Sequence, residues 1–430
     1  MVNSFAIKTR WPKAVTGDDA VARSFAHVQI DISGRNVTRY EGEFDPAADE
    51  VQFPTYYLAE WFTENWWPIL WEPRKSETEG DDYEFLTRHS TVFAQNGFAL
   101  PKITFVQQGA QLNVHASARD LQHPEVRFRN GGNALLPRVS VEAELSNFVA
   151  RVVKWIGRAA LEGSNLIENW DAIRDTDPDE QIFCQLMGAL GLSPYVTNKA
   201  AEELVERAVS GLGEDLALDL CLAAKPENLN QTLKAALLAH SNMVVRAEIG
   251  PLLTAGALAD PVSLPGWRRG VQAARKARET LSIRDDDPEA SNRLFERLKI
   301  DLDGSGMQGV AEDDAVVLGV VEREGKEVRF GLTQSTRAQR RFTAARAAFA
   351  AWTAELPTSA KFLTLAVTRE QQASRAFAAE ITAPIAYLRK RARGSKISDT
   401  SIFELAGELQ VSAEVVRNQL VNNGLTLTRR

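Results

Sequence analysis

A change of hydrophobic periodicity near residue 140 constrains this chain more than any other feature of its sequence. Before it, short stretches alternate apolar and polar residues as strands do, for example FAHVQID (25–31) and ITFVQ (103–107). After it, NFVARVVKWI (147–156) repeats its apolar residues with the 3.6-residue period of a helix. The change predicts a β-rich domain over residues 1–140 and an all-α region over residues 141–261.

Glycine, asparagine and proline mark the breaks between these elements. Gly34-Arg35-Asn36 and Asn130-Gly131-Gly132 separate strand-like stretches, and the first predicts a hairpin turn. In the helical region, Asp177-Pro178, Pro226 and Pro251 interrupt the pattern. We therefore expect several short helices there, an arrangement that commonly provides interaction surfaces.

The composition is that of an ordinary globular protein. Hydrophobic residues make up 44 % of the 430 residues and charged residues 25 %, and the formal net charge is −7. No apolar run approaches the roughly 20 residues that a membrane span requires, and the N-terminus lacks the apolar core of a signal peptide. Cys184 and Cys221 lie far apart, as is common for reduced thiols. We therefore expect a soluble cytoplasmic protein of two or three domains without membrane contact.

One segment of the N-terminal domain, YYLAEWFTENWWPILW (56–71), is rich in tryptophan. Leu58, Trp61 and Phe62 fall at helical spacing, and Pro68 should end or bend the helix. Such a cluster could stack bases or sugars, but a Trp-rich helix more commonly covers one face of a small sheet. We expect core packing for its four tryptophans, Trp61, Trp66, Trp67 and Trp71.

The N-terminal domain also holds four of the five histidines, namely His27, His89, His115 and His123. The spacing of His115 and His123 fits no metal-binding motif, so we expect both to be solvated residues of strands or loops. The chain contains no GxSxG nucleophile elbow, no Walker loop and no Cys–His motif. These observations favour no particular enzyme class.

Three C-terminal segments resemble one known family in the same order. They are PGWRRGVQAARKARETLSI (265–283), RRFTAARAAFAAW (340–352) and ASRAFAAEITAP (373–384). The second resembles the RFTLAHELGH helix of the ImmA/IrrE family of zinc-dependent peptidases, matching Arg341, Phe342, Thr343 and Ala345. The third resembles that family's ANxFAAELLMP segment, and the first resembles its opening helix. The resemblance implies a zincin-like domain over residues 262–430 and an α+β multidomain fold for the chain.

The zinc chemistry of that family is missing here. A gluzincin helix needs two His one turn apart, with a Glu beside the first to take a proton from zinc-bound water. The resemblance puts Arg346, Ala347 and Ala350 at the first His, the Glu and the second His. The third ligand falls on Gln371, with Glu370 one register away. The resemblance therefore implies a pseudo-peptidase whose former metal positions carry no zinc ligand.

Residues 241–430 contain neither His nor Cys, which leaves carboxylates, amides and hydroxyls as metal ligands. Those groups suit magnesium or calcium better than zinc. Arg346 would also place a permanent cation at the metal position, where two close cations repel. We therefore expect no metal, no cofactor and no catalysis in this domain.

Arg346 needs a partner, because an unpaired buried guanidinium is costly. One hypothesis is that it pairs internally with Glu370 and fills the old metal position. The other is that it meets an acidic group on a binding partner. The cost of an unpaired charge favours the internal pair.

The segment IFELAGELQVSAEVVRNQLVNNGL (402–425) has the pattern of a helix-turn-helix, with Ser412 as N-cap of the second helix. Residues 341–430 carry 13 Lys and Arg against 7 Asp and Glu, so this end could attract polyanions. Members of the resembled family have a similar helical tail, so a structural role stays open. Candidate DNA-contacting residues are Arg389, Lys390, Arg391 and Arg393 for phosphates, and Ser412, Glu414 and Arg417 for bases.

These patterns support three hypotheses of function. The first is a catalytically inactive ImmA/IrrE-like protein that binds or regulates a protein partner. Active members act on DNA-binding repressors, so the resemblance suggests a repressor-type or defence-system partner in bacterial stress response, phage defence or mobile-element control. The second is a DNA-binding transcriptional regulator that uses the helix-turn-helix-like tail. The third is a hydrolase with a non-standard metal site shared between domains and built from the N-terminal His.

Overall fold

The computed structural model of the protein describes residues 4–13, 19–42, 48–75, 79–118, 126–256, 258, 264–302, 316–392 and 397–425, with the backbone alone at 79–82. The fold is mixed α/β, with 54 % helix and 19 % strand. The chain divides into two compact units, Met1–Val205 and Glu206–Arg430. Their boundary falls inside the region 141–261, and the three-part division stays a prediction. In the described part, no helix is both long enough and apolar enough to traverse a lipid bilayer.

The N-terminal unit is β-rich over its first part, as the alternating pattern predicts. One sheet is built on β2, which pairs with β1, β3 and β5; a second has the order β6-β7-β9, and β4 pairs with β8. Side chains of β6 alternate between buried and partly exposed, which confirms the period-two signal. The strands are β1 (Phe5–Arg10), β2 (Phe25–Ile32), β3 (Arg35–Asn36), β4 (Tyr40–Gly42), β5 (Val51–Pro54), β6 (Ile103–Gln108), β7 (Gln111–Ala116), β8 (Val126–Phe128) and β9 (Gly132–Pro137).

Helices cover these sheets and form the rest of the unit. They are α1 (Ala20–Arg23), α2 (Thr55–Glu64), α3 (Trp66–Trp71), α4 (Glu79–His89), α5 (Arg138–Ile156), α6 (Asn165–Asp175) and α7 (Pro178–Ala189), while α8 (Lys199–Leu212) crosses the unit boundary. Short 3₁₀ turns lie at Thr91–Ala94 and Arg158–Ala160. The helical period at 147–156 is confirmed, because these residues lie in α5 and bury Phe148, Val149 and Val152.

The Trp-rich segment packs in the core, as expected. Trp61, Trp66 and Trp67 are buried, and Trp71 is half-buried with the guanidinium of Arg138 3.5 Å from its ring centroid. The helix breaks at Asn65, between α2 and α3. Pro68 explains the position, since it lacks an N–H and its ring crowds the carbonyl four residues earlier. The alternative of a platform that stacks bases or sugars is therefore not formed by the three buried rings.

The C-terminal unit contains an antiparallel sheet with the order β10-β12-β11-β13. Its strands are β10 (Val245–Glu248), β11 (Val317–Glu324), β12 (Glu327–Leu332) and β13 (Thr358–Thr364). Its helices are α9 (Glu214–Ala223), α10 (Leu229–Ser241), α11 (Gly250–Leu253), α12 (Gly266–Leu281), α13 (Ala290–Arg297), α14 (Arg337–Thr353), α15 (Arg369–Thr382), α16 (Ile385–Arg391), α17 (Asp399–Leu409) and α18 (Ala413–Asn422), with a 3₁₀ turn at Pro226–Asn228. β13 thus lies at one edge of this sheet in the described strand order.

The three segments that carry the family resemblance pack together in this unit. They form α12, α14 and α15, whose small apolar residues share one core with Phe349 and Phe377. At Gly270 the backbones of α12 and α15 come so close that a Cβ atom would lie 2.1 Å from the carbonyl oxygen of Ala373. Glycine is therefore required there, and its absence of a side chain sets the spacing of the two helices.

Candidate functional site

Helices α14 and α15 bring together the positions that the resemblance assigned to zinc ligands. The side chain of Thr336 caps α14 by accepting the N–H of Gln339, and that of Thr368 caps α15 by accepting the N–H of Gln371. Arg346 of α14 is completely buried and faces Gln371 of α15. The candidate site is therefore a buried polar contact between two helices and the end of β13.

Neutral acceptors hold the guanidinium of Arg346. Its Nε donates to Oγ of Ser374 at 3.1 Å, and its Nη2 donates to the backbone oxygen of Thr364 at 2.8 Å and to Oε1 of Gln371. Its Nη1 is buried and has no hydrogen-bond partner in the described part of the chain. Burial, together with the nearby charge of Arg375, lowers the pKa of Arg346 to about 9. A fixed cation thus occupies this position without a bonded carboxylate.

The predicted internal pair between Arg346 and Glu370 is wrong. Oε2 of Glu370 accepts from Nζ of Lys361 at 2.6 Å, and 54 % of the Glu370 side chain is exposed. Successive residues of a helix point about 100° apart, so only one of residues 370 and 371 can face α14. Gln371 takes that direction, and Glu370 points toward solvent.

Gln371 also closes the outer edge of β13. Its Nε2 donates to the backbone oxygen of Phe362 at 2.7 Å, and its Oε1 accepts the N–H of Thr364 at 3.1 Å. One residue of a neighbouring parallel strand would make the same two bonds opposite Leu363. The amide therefore occupies hydrogen-bonding groups that an added peptide strand would use.

Asp219 of α9 closes the same edge from another direction, and the sequence reasoning missed it. Its Oδ2 accepts the N–H of Phe362 at 3.0 Å. Burial raises the pKa of Asp219 to about 7, although Lys361 and the Phe362 N–H oppose this shift. The sequence feature that could have pointed to Asp219 is a carboxylate one turn or less from Leu216 and Leu220, which are buried on the same helix. That signal could not name the partner, which lies 143 residues later in the chain.

The cavity beside this network is small. Its volume is about 20 Å³, and its lining includes Phe349, Ala350, Lys361, Gln371 and Ser374. That volume can hold about one water molecule. Ala347 is fully buried in the core. A cavity of this volume is too small to hold a peptide substrate.

The described histidines of the N-terminal unit, His27, His89 and His115, lie in no cluster that could hold a metal ion. Among the described residues, no group of three or more His, Cys, Asp or Glu side chains could hold a metal ion. His115 is exposed on β7, as expected, and His123 lies outside the described residues. His89 is buried, with Nδ1 2.8 Å from the backbone oxygen of Phe105 and Nε2 3.0 Å from Glu72. A hydrolytic metal site built from these histidines has no ligand set in the described ranges.

The candidate DNA-contacting residues lie on and near the last three helices. Ser412 caps α18, since its hydroxyl accepts the N–H of Val415 at 3.3 Å. Arg389 is exposed at the end of α16, and Arg393 lies outside the described residues. The remaining basic residues pair with carboxylates of the same chain: Lys390 with Asp286 at 3.1 Å, Arg391 with Glu408 at 3.3 Å, and Arg417 with Asp399 at 2.8 Å.

Comparisons of the chain with protein-family models, with curated proteins and with solved structures find no match.

Proposed function

We propose that this chain is a non-catalytic relative of the ImmA/IrrE peptidases that acts as a binding or regulatory protein. The observation that carries the proposal is the buried guanidinium of Arg346 at the position of the first zinc ligand. Hydrogen bonds to Ser374, Thr364 and Gln371 fix this cation in place. A metal cation at the same position would meet strong repulsion in a low-dielectric interior.

The contacts of Gln371 support the same proposal. At the position of the third ligand, its amide bonds to the backbone of β13 and to Arg346 instead of facing an open site. A peptide could pair with the edge of β13 at Phe362 and Thr364 only by displacing Gln371 and Asp219. Hydrolysis of a peptide at this place would therefore need both a metal and a groove that these residues replace. The partner suggested by the resemblance is a protein of repressor or defence-system type.

Metal content and protease activity test the proposal. The purified full chain would be incubated with zinc, passed through a desalting column and measured by elemental analysis. Substoichiometric zinc and no zinc-dependent cleavage of unfolded protein substrates are expected, because the described residues offer no ligand cluster. One tightly retained zinc per chain that is lost in Gln371→Ala would overturn the proposal, as would proteolysis that a chelator abolishes.

A second measurement addresses binding. The tagged chain would be cross-linked and purified from its native host, with the Arg346→Met variant in parallel. A stoichiometric protein partner is expected with both forms, because Arg346 is buried and does not face a partner. Recovery of the chain alone, at all expression levels, would contradict a binding role.

A further inference from the structure

The N-terminal unit contains a polar cleft of about 470 Å³ that the proposed function does not use. Two of the segments that the sequence marks by Gly and Asn residues, 34–36 and 130–131, meet to form most of its wall. Ligand pockets for small molecules commonly have volumes of about 300–1,000 Å³, so this cleft has sufficient size. The lining residues are Gly34, Arg35, Asn36, Arg39, Asp49, Arg129, Asn130 and Gly131.

Among the described lining residues the charge is positive, with three guanidiniums against the carboxylate of Asp49. Arg35 is exposed and has no partner among the described residues. Nε of Arg39 lies 3.5 Å from Oδ1 of Asp49, and Arg129 pairs with Glu41. Arg39 and Arg129 are both about half exposed, and ion pairs at such exposed positions contribute little to stability. These arginines can therefore exchange their carboxylates for a ligand anion at little cost.

Hydrogen bonds between the walls hold the cleft in shape. Asn36 donates from Nδ2 to the backbone oxygen of Asp49 at 2.7 Å, and its own backbone oxygen accepts from Nδ2 of Asn130 at 2.8 Å. Gly34 has a φ of 75°, a backbone conformation that glycine adopts without strain. The two segments that carry the arginines, 34–39 and 129–131, and the segment of Asp49 are thus tied together before any ligand binds, which lowers the entropy lost on binding.

We propose that this cleft binds a phosphorylated ligand of nucleotide size. A guanidinium pairs with phosphate oxygens through two parallel N–H donors, and Arg35 and Arg39 of one segment line the same space as Arg129 of another. The carboxylate of Asp49 can accept hydrogen bonds from sugar hydroxyl groups, which a nucleotide carries but inorganic phosphate and pyrophosphate do not. Such phosphate esters occur both as free nucleotides and in the backbone of a nucleic acid strand.

Titration of the full chain with three probes tests this proposal. The probes are ATP, inorganic pyrophosphate and a short fluorescein-labelled single-stranded oligonucleotide, measured by calorimetry or fluorescence anisotropy at low and physiological salt. ATP or the oligonucleotide should bind with saturation and more tightly than pyrophosphate, and affinity should fall with salt. The variant Arg35→Ala/Arg129→Ala should lose affinity by about tenfold or more, since it removes two of the three guanidiniums of the described lining.

A matched control variant is Arg158→Ala/Arg174→Ala, which removes two exposed arginines of the same unit outside this cleft. It should leave affinity unchanged. The single variant Arg35→Glu separates loss of binding from loss of folding. Because Arg35 is exposed, this variant should weaken binding without changing the circular dichroism spectrum. Preference for ATP identifies a free nucleotide, and preference for the oligonucleotide identifies a nucleic acid backbone; both support the proposal. No saturable binding of any probe, or an equal loss in the control variant, would overturn it.

Discussion

Arg278 of α12 and Glu380 of α15 form an ion pair in which both side chains are almost completely buried. Their side chains are 2 % and 4 % exposed, and Nη2 of Arg278 lies 3.1 Å from Oε1 of Glu380. The second carboxylate oxygen accepts from Nε2 of Gln419 at 3.1 Å, and Nε of Arg278 donates to Asp285 at 3.0 Å. One carboxylate thus connects α12, α15 and α18.

Glu380→Ala should lower the free energy of unfolding by about 3–5 kcal/mol, because it leaves Arg278 buried without its main partner. The control is Glu370→Ala, whose exposed pair with Lys361 should contribute less than about 1 kcal/mol. Urea denaturation of both variants measures the difference. Equal, small effects would mean that the buried pair does not stabilise this unit.

Arg346→Ala should lower the free energy of unfolding by about 2–4 kcal/mol, because it removes a large buried side chain and its hydrogen bonds. Arg346→Met should cost much less, since methionine fills most of the space without a buried charge. The melting temperatures of the two variants would be compared with that of the unmodified chain. An alanine variant that melts normally but loses a partner would instead identify Arg346 as a recognition residue.

Gln371→Leu should expose the edge of β13, because the bonds to Phe362 and Thr364 are lost. A cost of about 1–3 kcal/mol is expected for leaving buried polar groups unpaired. Hydrogen exchange at the Thr364 amide should accelerate. The neighbouring Gln372→Leu is the matched control, since Gln372 makes a single long bond of 3.3 Å to Val367. Unchanged exchange in Gln371→Leu would show that the amide does not protect this edge.

Asp219→Asn should make stability less dependent on pH. Burial raises the pKa of Asp219 from 3.8 to about 7, despite Lys361 and the Phe362 N–H. Between these pH values the folded chain holds a proton on Asp219 that the unfolded chain has released. The stability of the unmodified protein therefore falls as pH rises, and the full cost of ionising the buried carboxyl is present above pH 7. Asparagine keeps the acceptor for Phe362 without the charge.

The variant should therefore be more stable than the unmodified chain at slightly alkaline pH by about 1–2 kcal/mol. This value is smaller than the full pKa shift implies, because the side chain of Asp219 is partly exposed. Near the pKa of an unperturbed Asp the two proteins should differ little. Urea denaturation at slightly alkaline pH and near the pKa of an unperturbed Asp measures the difference in stability, with Asp215→Asn on the exposed face of α9 as control. A constant difference at both pH values would exclude an elevated pKa of Asp219.

Local features of this protein could be read from the sequence because they depend on residues a few positions apart. Alternation at 103–107 predicts β6, and the helical period at 147–156 predicts part of α5. Ser412 caps α18 as its residue type and position indicate. The core position of Trp61 likewise follows from helical spacing and size. In each case the period of the backbone or the chemistry of a single side chain is sufficient to determine the local structure.

Only the tertiary structure decided which distant groups meet. The sequence allowed either Glu370 or Gln371 to face Arg346, and the rotation of α15 selected Gln371. Asp219 reaches β13, and the segments 34–36 and 130–131 meet in one cleft, through contacts between residues about a hundred or more positions apart. Such contacts depend on how helices and sheets pack against one another, and no local period or capping residue encodes that arrangement.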